Sequence, residues 1–172
     1  MQTLIVKKIK QLFIFALCFA SAVVVAVEKS GDILRYEQFY IAGSPSEETL
    51  TAFKKKTGGV IVDLRSINEL GNCSEPAVAS KLGLQYRKVN FDKAEHISPE
   101  VIQGIDKAVI EAGARPVLLF CKTGNRAAAW LAIHLVQTKN KSIDESIRIA
   151  KGLGLKPDGE AGVREFLKTS GK

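Results

Sequence analysis

The sequence is poor in the residues that bind metals. It has two His and three Cys among 172 residues. They are too few and too scattered for a zinc site, so no metal is expected. Its 14 glycines form neither a dinucleotide fingerprint nor a nucleotide P-loop, and no cofactor is expected. Repeats, linkers and low-complexity stretches are absent, so the chain beyond its N-terminus reads as one domain. The formal net charge is +7. Three of the basic residues are Lys7, Lys8 and Lys10, and the chain beyond position 27 carries only +4. That suits anionic ligands. No basic patch interleaved with aromatics argues for nucleic acid.

Charge is also missing from Leu12 to Val27. With the basic Lys7–Lys10 before it and the small-residue stretches Ala20-Ser21-Ala22 and Val24-Val25-Ala26 at its end, this segment has the layout of a secretory signal. It is shorter than the ~20 apolar residues a spanning helix prefers, and an uncleaved anchor is the alternative reading. Leu17 before Cys18 does not fit a lipoprotein site. The expected division is a signal peptide over 1–27 and one domain over 28–172. That domain would be exported, periplasmic in a bacterium, and free of the membrane after signal removal. Cleavage would leave Cys73 and Cys121. In an oxidising compartment such a pair can form a disulfide. Cys73 is equally open to being a structural partner, a reversible protective partner or an unrelated loop residue.

What is present centres on residues 116–132, PVLLFCKTGNRAAAWLA. Val117–Phe120 is a short apolar run after a proline, which predicts a buried strand. Ala127–Val136 has no Gly or Pro and is rich in Ala and Leu, which predicts a helix. Cys121 then sits at the end of a strand and Arg126 in the first turn of a helix. Between them Lys122, Thr123, Gly124 and Asn125 form a loop whose amides, with the helix N-terminus, make an anion cradle. A free thiol has a pKa of ~8.5, and a helix N-terminus with a nearby Arg can lower it by several units. Cys121 reads as a nucleophile. Arg126 offers a planar fork for an oxyanion, and a covalent intermediate follows from the pairing.

The remaining elements alternate. Val27–Arg35 reads as a tether and Tyr36–Ile41 as a first strand. Ser46 caps a helix to Lys56. Val60–Leu64 is a strand with Asp63 near its end, read as loop support, followed by Arg65 and Glu69 in a polar loop. Glu75–Leu82 is a short helix and Gln85–Val89 a strand. Asp92, Glu95 and His96 follow in a polar loop. Ser98-Pro99-Glu100 starts a helix that Gly113 stops. His134 is spaced for packing. Ser142 opens a helix to Lys151, and Glu160–Lys168 is the last. Together these predict a single α/β domain, with a central, mostly parallel sheet of four to five strands flanked by helices and the site at the strands' C-terminal edge.

CKTGNRAAAW (121–130) resembles the active-site loop of the phosphatase-like family known as a domain of beta-lactamase hydrolase-like proteins (DUF442-type), within the protein tyrosine and dual-specificity phosphatase superfamily. Members typically read Cys-Arg-Thr-Gly-x-Arg-Ser. IAGSPSEETL (41–50) resembles the family's Gly-x-Pro-Ser motif, and VIVDLRSINE (60–69) its second-strand motif. The resemblance runs from about Phe39 to Leu155. It implies a protein tyrosine phosphatase-like fold and a cysteine-dependent phosphatase acting on a phosphorylated protein or a small phosphomonoester. It further implies a general acid on a loop well upstream of the cysteine. Asp92, 29 residues before Cys121, occupies that place, with Glu95 and His96 as substitutes.

Three features depart from the pattern of phosphatases: one spacing and two residues. Only four residues separate Cys121 from Arg126, where ordinary tyrosine phosphatases have five. The shorter loop also resembles rhodanese-type sulfurtransferases, which would carry sulfane sulfur as a Cys121 persulfide. Phe120 stands where ordinary phosphatases have His. Ala127 stands where the family has a Ser whose hydroxyl helps the thiolate leave, which implies slow turnover. Phe120 and Ala127 also leave room for a non-catalytic module that binds phospho-ligands.

Overall fold

The computed structural model describes residues 28–30, 32–70 and 74–171. Six strands form one sheet: β1 Glu28–Ser30, β2 Ile33–Tyr36, β3 Phe39–Ala42, β4 Val60–Asp63, β5 Gln85–Lys88 and β6 Val117–Phe120. Their order is β1-β2-β3-β6-β4-β5. The four strands β3, β6, β4 and β5 are mutually parallel. β1 and β2 extend the sheet at one side as antiparallel strands. The mostly parallel α/β architecture is the one expected. The sheet has six strands where the sequence predicts four to five, because β1 and part of β2 lie in the segment read as a tether.

The helices are α1 Glu47–Thr57, α2 Glu75–Lys81, α3 Pro99–Ala112, α4 Asn125–Lys139, α5 Ile143–Gly152 and α6 Pro157–Thr169. Side chains alternate across a strand, so the sheet carries two cores. Phe39, Ile41, Val62 and Leu119 face one way with Ile105, Trp130 and Leu167 from the helices. Tyr40, Ile61, Leu118 and Phe120 face the other with Leu50, Phe53 and Ala79. β6 is buried along its whole length because it lies in the middle with helices on both faces.

Three helix starts follow from local chemistry. Ser46, Ser98 and Ser142 are N-caps whose hydroxyls accept the amides of Thr49, Val101 and Glu145. Two boundaries differ from expectation. The presumed tether over Val27–Arg35 contains β1 and β2, and the presumed strand Tyr36–Ile41 is split by a Glu37–Gln38 turn. That turn lacks the Asn-Gly chemistry that marks hairpins in sequence. Burial of Ile33 and Tyr36 holds the hairpin against the body. The last helix begins at Pro157, not Glu160. Pro at the first position with Asp158 after it is a regular helix start.

One feature of the register positions the site. Ala42 pairs with Phe120, Phe120 with Asp63, and Asp63 with Lys88. The C-terminal ends of all four parallel strands therefore lie on one edge. The loops after them converge there.

Candidate active site

The loop after β6 is the centre of that edge. Cys121 is 1% exposed, and its Sγ accepts the amide of Gly124 at 3.2 Å. Gly124 turns the chain into α4 with φ +89°, a conformation open to glycine and strained for other residues. The N-terminus of α4 thus faces the sulfur with its amides unspent on capping side chains. Lys122 and Thr123 are exposed on the rim, while Gly124 and Asn125 are buried.

Arg126 is held from across the edge. Its Nη1 and Nη2 donate to Glu69 Oε2 and Oε1 at 2.6 and 2.9 Å, and Nη1 also donates to the carbonyls of Phe91 and Asp92. Burial pulls the Arg126 pKa down, but the Glu69 carboxylate and then Cys121 outweigh it, so the guanidinium stays charged. Glu69 is pushed down to about 2, first by the Arg126 hydrogen bonds. It also accepts the Ser66 amide at 2.9 Å, closing a capping box around a 3-10 turn over Ile67–Glu69.

That turn stands on a buried ionic cluster. Asp63 is fully buried and accepts from the Arg65 amide, the Arg65 guanidinium and Tyr86 Oη, the last at 2.6 Å. Arg65 reaches on to Glu75 at 2.8 Å and lies over the Phe120 ring, 5.0 Å from its centre. Burial raises the Asp63 pKa, yet the hydrogen bonds from Arg65 and Tyr86 reverse that and leave it below its ordinary value. Asp63 is loop support, as expected. Arg65 has its fork committed to Asp63 and Glu75, so it is not offered to a ligand.

A cleft of about 220 Å³ opens above the loop, lined by Asp92, Glu95, Lys122, Thr123, Arg126 and Asp158 among others. The structure thus brings together the expected loop residues 122–126 and the Asp92 loop. Asp92 and Glu95 are both exposed on the cleft wall. His96 instead faces a neighbouring groove with Gly162 and Phe166. His134 packs edge-on against Phe39, away from the loop, and burial lowers its pKa. Cys73, and with it the question of a Cys73–Cys121 pair, lies outside the described residues. Two cleft residues were not singled out from sequence. Glu69 had a signal, the Ser66-x-x-Glu69 capping box. Asp158 had a weaker one, its place just inside a Pro-led helix start.

No protein-family model matches the chain, and no curated protein matches it at a significant level. Solved structures do. A Shewanella putrefaciens candidate phosphatase of the DUF442 group aligns at TM-score 0.60 and 19% identity, over 80% of this chain and 92% of that one. A cysteine-to-serine variant of P. aeruginosa TpbA in complex with phosphotyrosine aligns at TM-score 0.68 and 14% identity, over 87% of this chain and 98% of that one. The chain has the protein tyrosine phosphatase-like fold. PTPMT1, solved in complex with PI(5)P, aligns at TM-score 0.61 and 20% identity, over 76% of this chain and 90% of that one. At these identities the likeness is one of fold, and it matches the resemblance that the 121–130 loop carries in sequence. The sulfurtransferase alternative gains no support from these relatives.

Proposed function

We propose that this protein is a cysteine-dependent phosphatase hydrolysing phosphomonoesters. The observation that carries the reading is the loop 121–126, in which a buried cysteine at a helix N-terminus lies beneath loop residues and a charged arginine that line one cleft, on a phosphatase-like fold. Cys121 Sγ attacks phosphorus and forms an S–P bond as the ester P–O bond breaks. The loop amides of 122–126 and the Arg126 guanidinium hold the phosphoryl oxygens. Asp92 gives its proton to the leaving oxygen, then takes one from the water that breaks the S–P bond and frees phosphate. Ala127 supplies no hydroxyl to help the thiolate leave, so the second step is slow. The substrates are a phosphorylated protein or a small phosphomonoester, in keeping with the ligands of TpbA and PTPMT1. The segment 1–27 supports action after export.

The test is hydrolysis of p-nitrophenyl phosphate by the fully reduced protein. Cys121→Ser abolishes it. Asp92→Asn lowers it about 100-fold with a poor leaving group and less with nitrophenol. No hydrolysis by the reduced wild type overturns the reading.

A further inference from the structure

The proposed chemistry makes no use of α6, yet one face of that helix touches both the cysteine loop and the Asp92 loop of the site. Asn125, the residue before Arg126, is 6% exposed. Its Nδ2 donates to Asp158 Oδ1 and Oδ2 at 3.1 and 3.0 Å, and its Oδ1 accepts the Lys156 amide at 2.8 Å. Both ends of the amide are thus committed, which fixes its orientation. α6 has no capping side chain of its own. Asn125 reaches over from α4 to the amide at its N-terminus instead.

Two glycines let the helix come this close. A Cβ at Gly159 would lie 2.4 Å from Asn125 Oδ1. A Cβ at Gly162 would lie 2.0 Å from the Ala94 carbonyl oxygen. Three positions apart, they share a helix face. That face presses on the residue before Arg126 and on the loop two residues beyond Asp92.

We propose that Asp158 is a positioning residue. Through Asn125 it holds the 121–126 loop in its anion-receiving shape, and α6 thereby sets the oxyanion affinity of the site. A charged acceptor holds the Asn125 amide more firmly than a neutral one would. Without Asp158 a buried Nδ2 loses its partner, and the loop gains freedom at the point where it hands over to Arg126. This inference rests on the phosphatase reading only for turnover, because anion binding is measured separately.

The sign of one effect separates positioning from plain charge. Removing a carboxylate beside an anion site tightens anion binding if charge alone matters. Positioning gives the opposite. The experiment measures orthovanadate and inorganic phosphate affinity of the full reduced chain, with thermal melting alongside, for wild type, Asp158→Ala and Asp158→Asn. Asp158→Ala is expected to weaken vanadate binding about tenfold. Asp158→Asn keeps one acceptor and falls between that variant and wild type. Unchanged or tighter vanadate binding by either folded variant overturns the inference, as does a loss of melting temperature with affinity intact. Wild type that binds vanadate without hydrolysing ester defeats the phosphatase reading and leaves the Asp158 comparison decisive. Wild type that binds neither anion defeats both.

Discussion

Replacing Glu69 by Gln tests how the site arginine is held. Arg126 has a side chain only 7% exposed and Glu69 one 25% exposed, with their atoms 2.6 Å apart at the nearest. Depression of the Glu69 pKa from 4.5 to about 2 corresponds to about 3 kcal/mol of stability at neutral pH. Partial exposure of Glu69 lets solvent screen the pair, which brings the figure to about 2 kcal/mol. Breaking a buried pair outright costs more, ~3–5 kcal/mol. Gln keeps one acceptor, and Arg126 keeps the Phe91 and Asp92 carbonyls, so the smaller figure is expected. Because the folded-state pKa is the lower one, the contribution is complete above the unfolded value of 4.5 and fades as pH falls toward 2. Roughly a quarter of the gap between wild type and variant is gone at pH 4, and more than half at pH 3. Urea unfolding of both proteins from pH 7 to pH 3 reads this directly, since other carboxylates cancel in the difference. Equal stability at pH 7, or a gap that stays constant down to pH 3, refutes the reasoning.

Two further substitutions probe the supports. Asp63→Asn strips the buried Arg65 of its main counter-charge and is expected to cost about 3–5 kcal/mol in denaturant unfolding. Gly162→Ala places a methyl where only 2.0 Å separates it from the Ala94 carbonyl oxygen. It is expected to destabilise by about 1–3 kcal/mol. It should also slow hydrolysis of poor leaving groups more than of p-nitrophenyl phosphate, because the displaced loop carries Asp92.

The parts that sequence made legible are those encoded within a few residues. Val117–Phe120 between Pro116 and Cys121 announces a buried strand running into a loop. Ser46, Ser98 and Ser142 announce helix starts because a cap needs only its own next three amides. The hairpin of β2 and β3 escaped, since its Glu37–Gln38 turn carries no local signature and its stability comes from burial of Ile33 and Tyr36. The start of α6 was within reach: Pro157 and Asp158 carry the same signal that located α3. The contacts that complete the site have no local trace. Glu69 meets Arg126 across 57 positions, and Asn125 meets Asp158 across 33.

Why those distant contacts exist follows from the sheet. A parallel register with all four strand ends on one edge gathers four loops from well-separated stretches of chain. Loops are the least self-supporting part of a fold, yet an oxyanion site works only if its donors are held in place before the anion arrives. Three of these loops are tied to something rigid. The 64–69 segment rests on the Asp63–Arg65–Glu75 cluster. The Asp92 loop is pinned by Arg126 through its carbonyls and by α6 at Ala94. The cysteine loop is braced at its far end by Asn125 against Asp158. Arg126 and Asn125, adjacent in sequence, are the two residues through which these supports join, so a substitution at either should disturb more than the contact it removes.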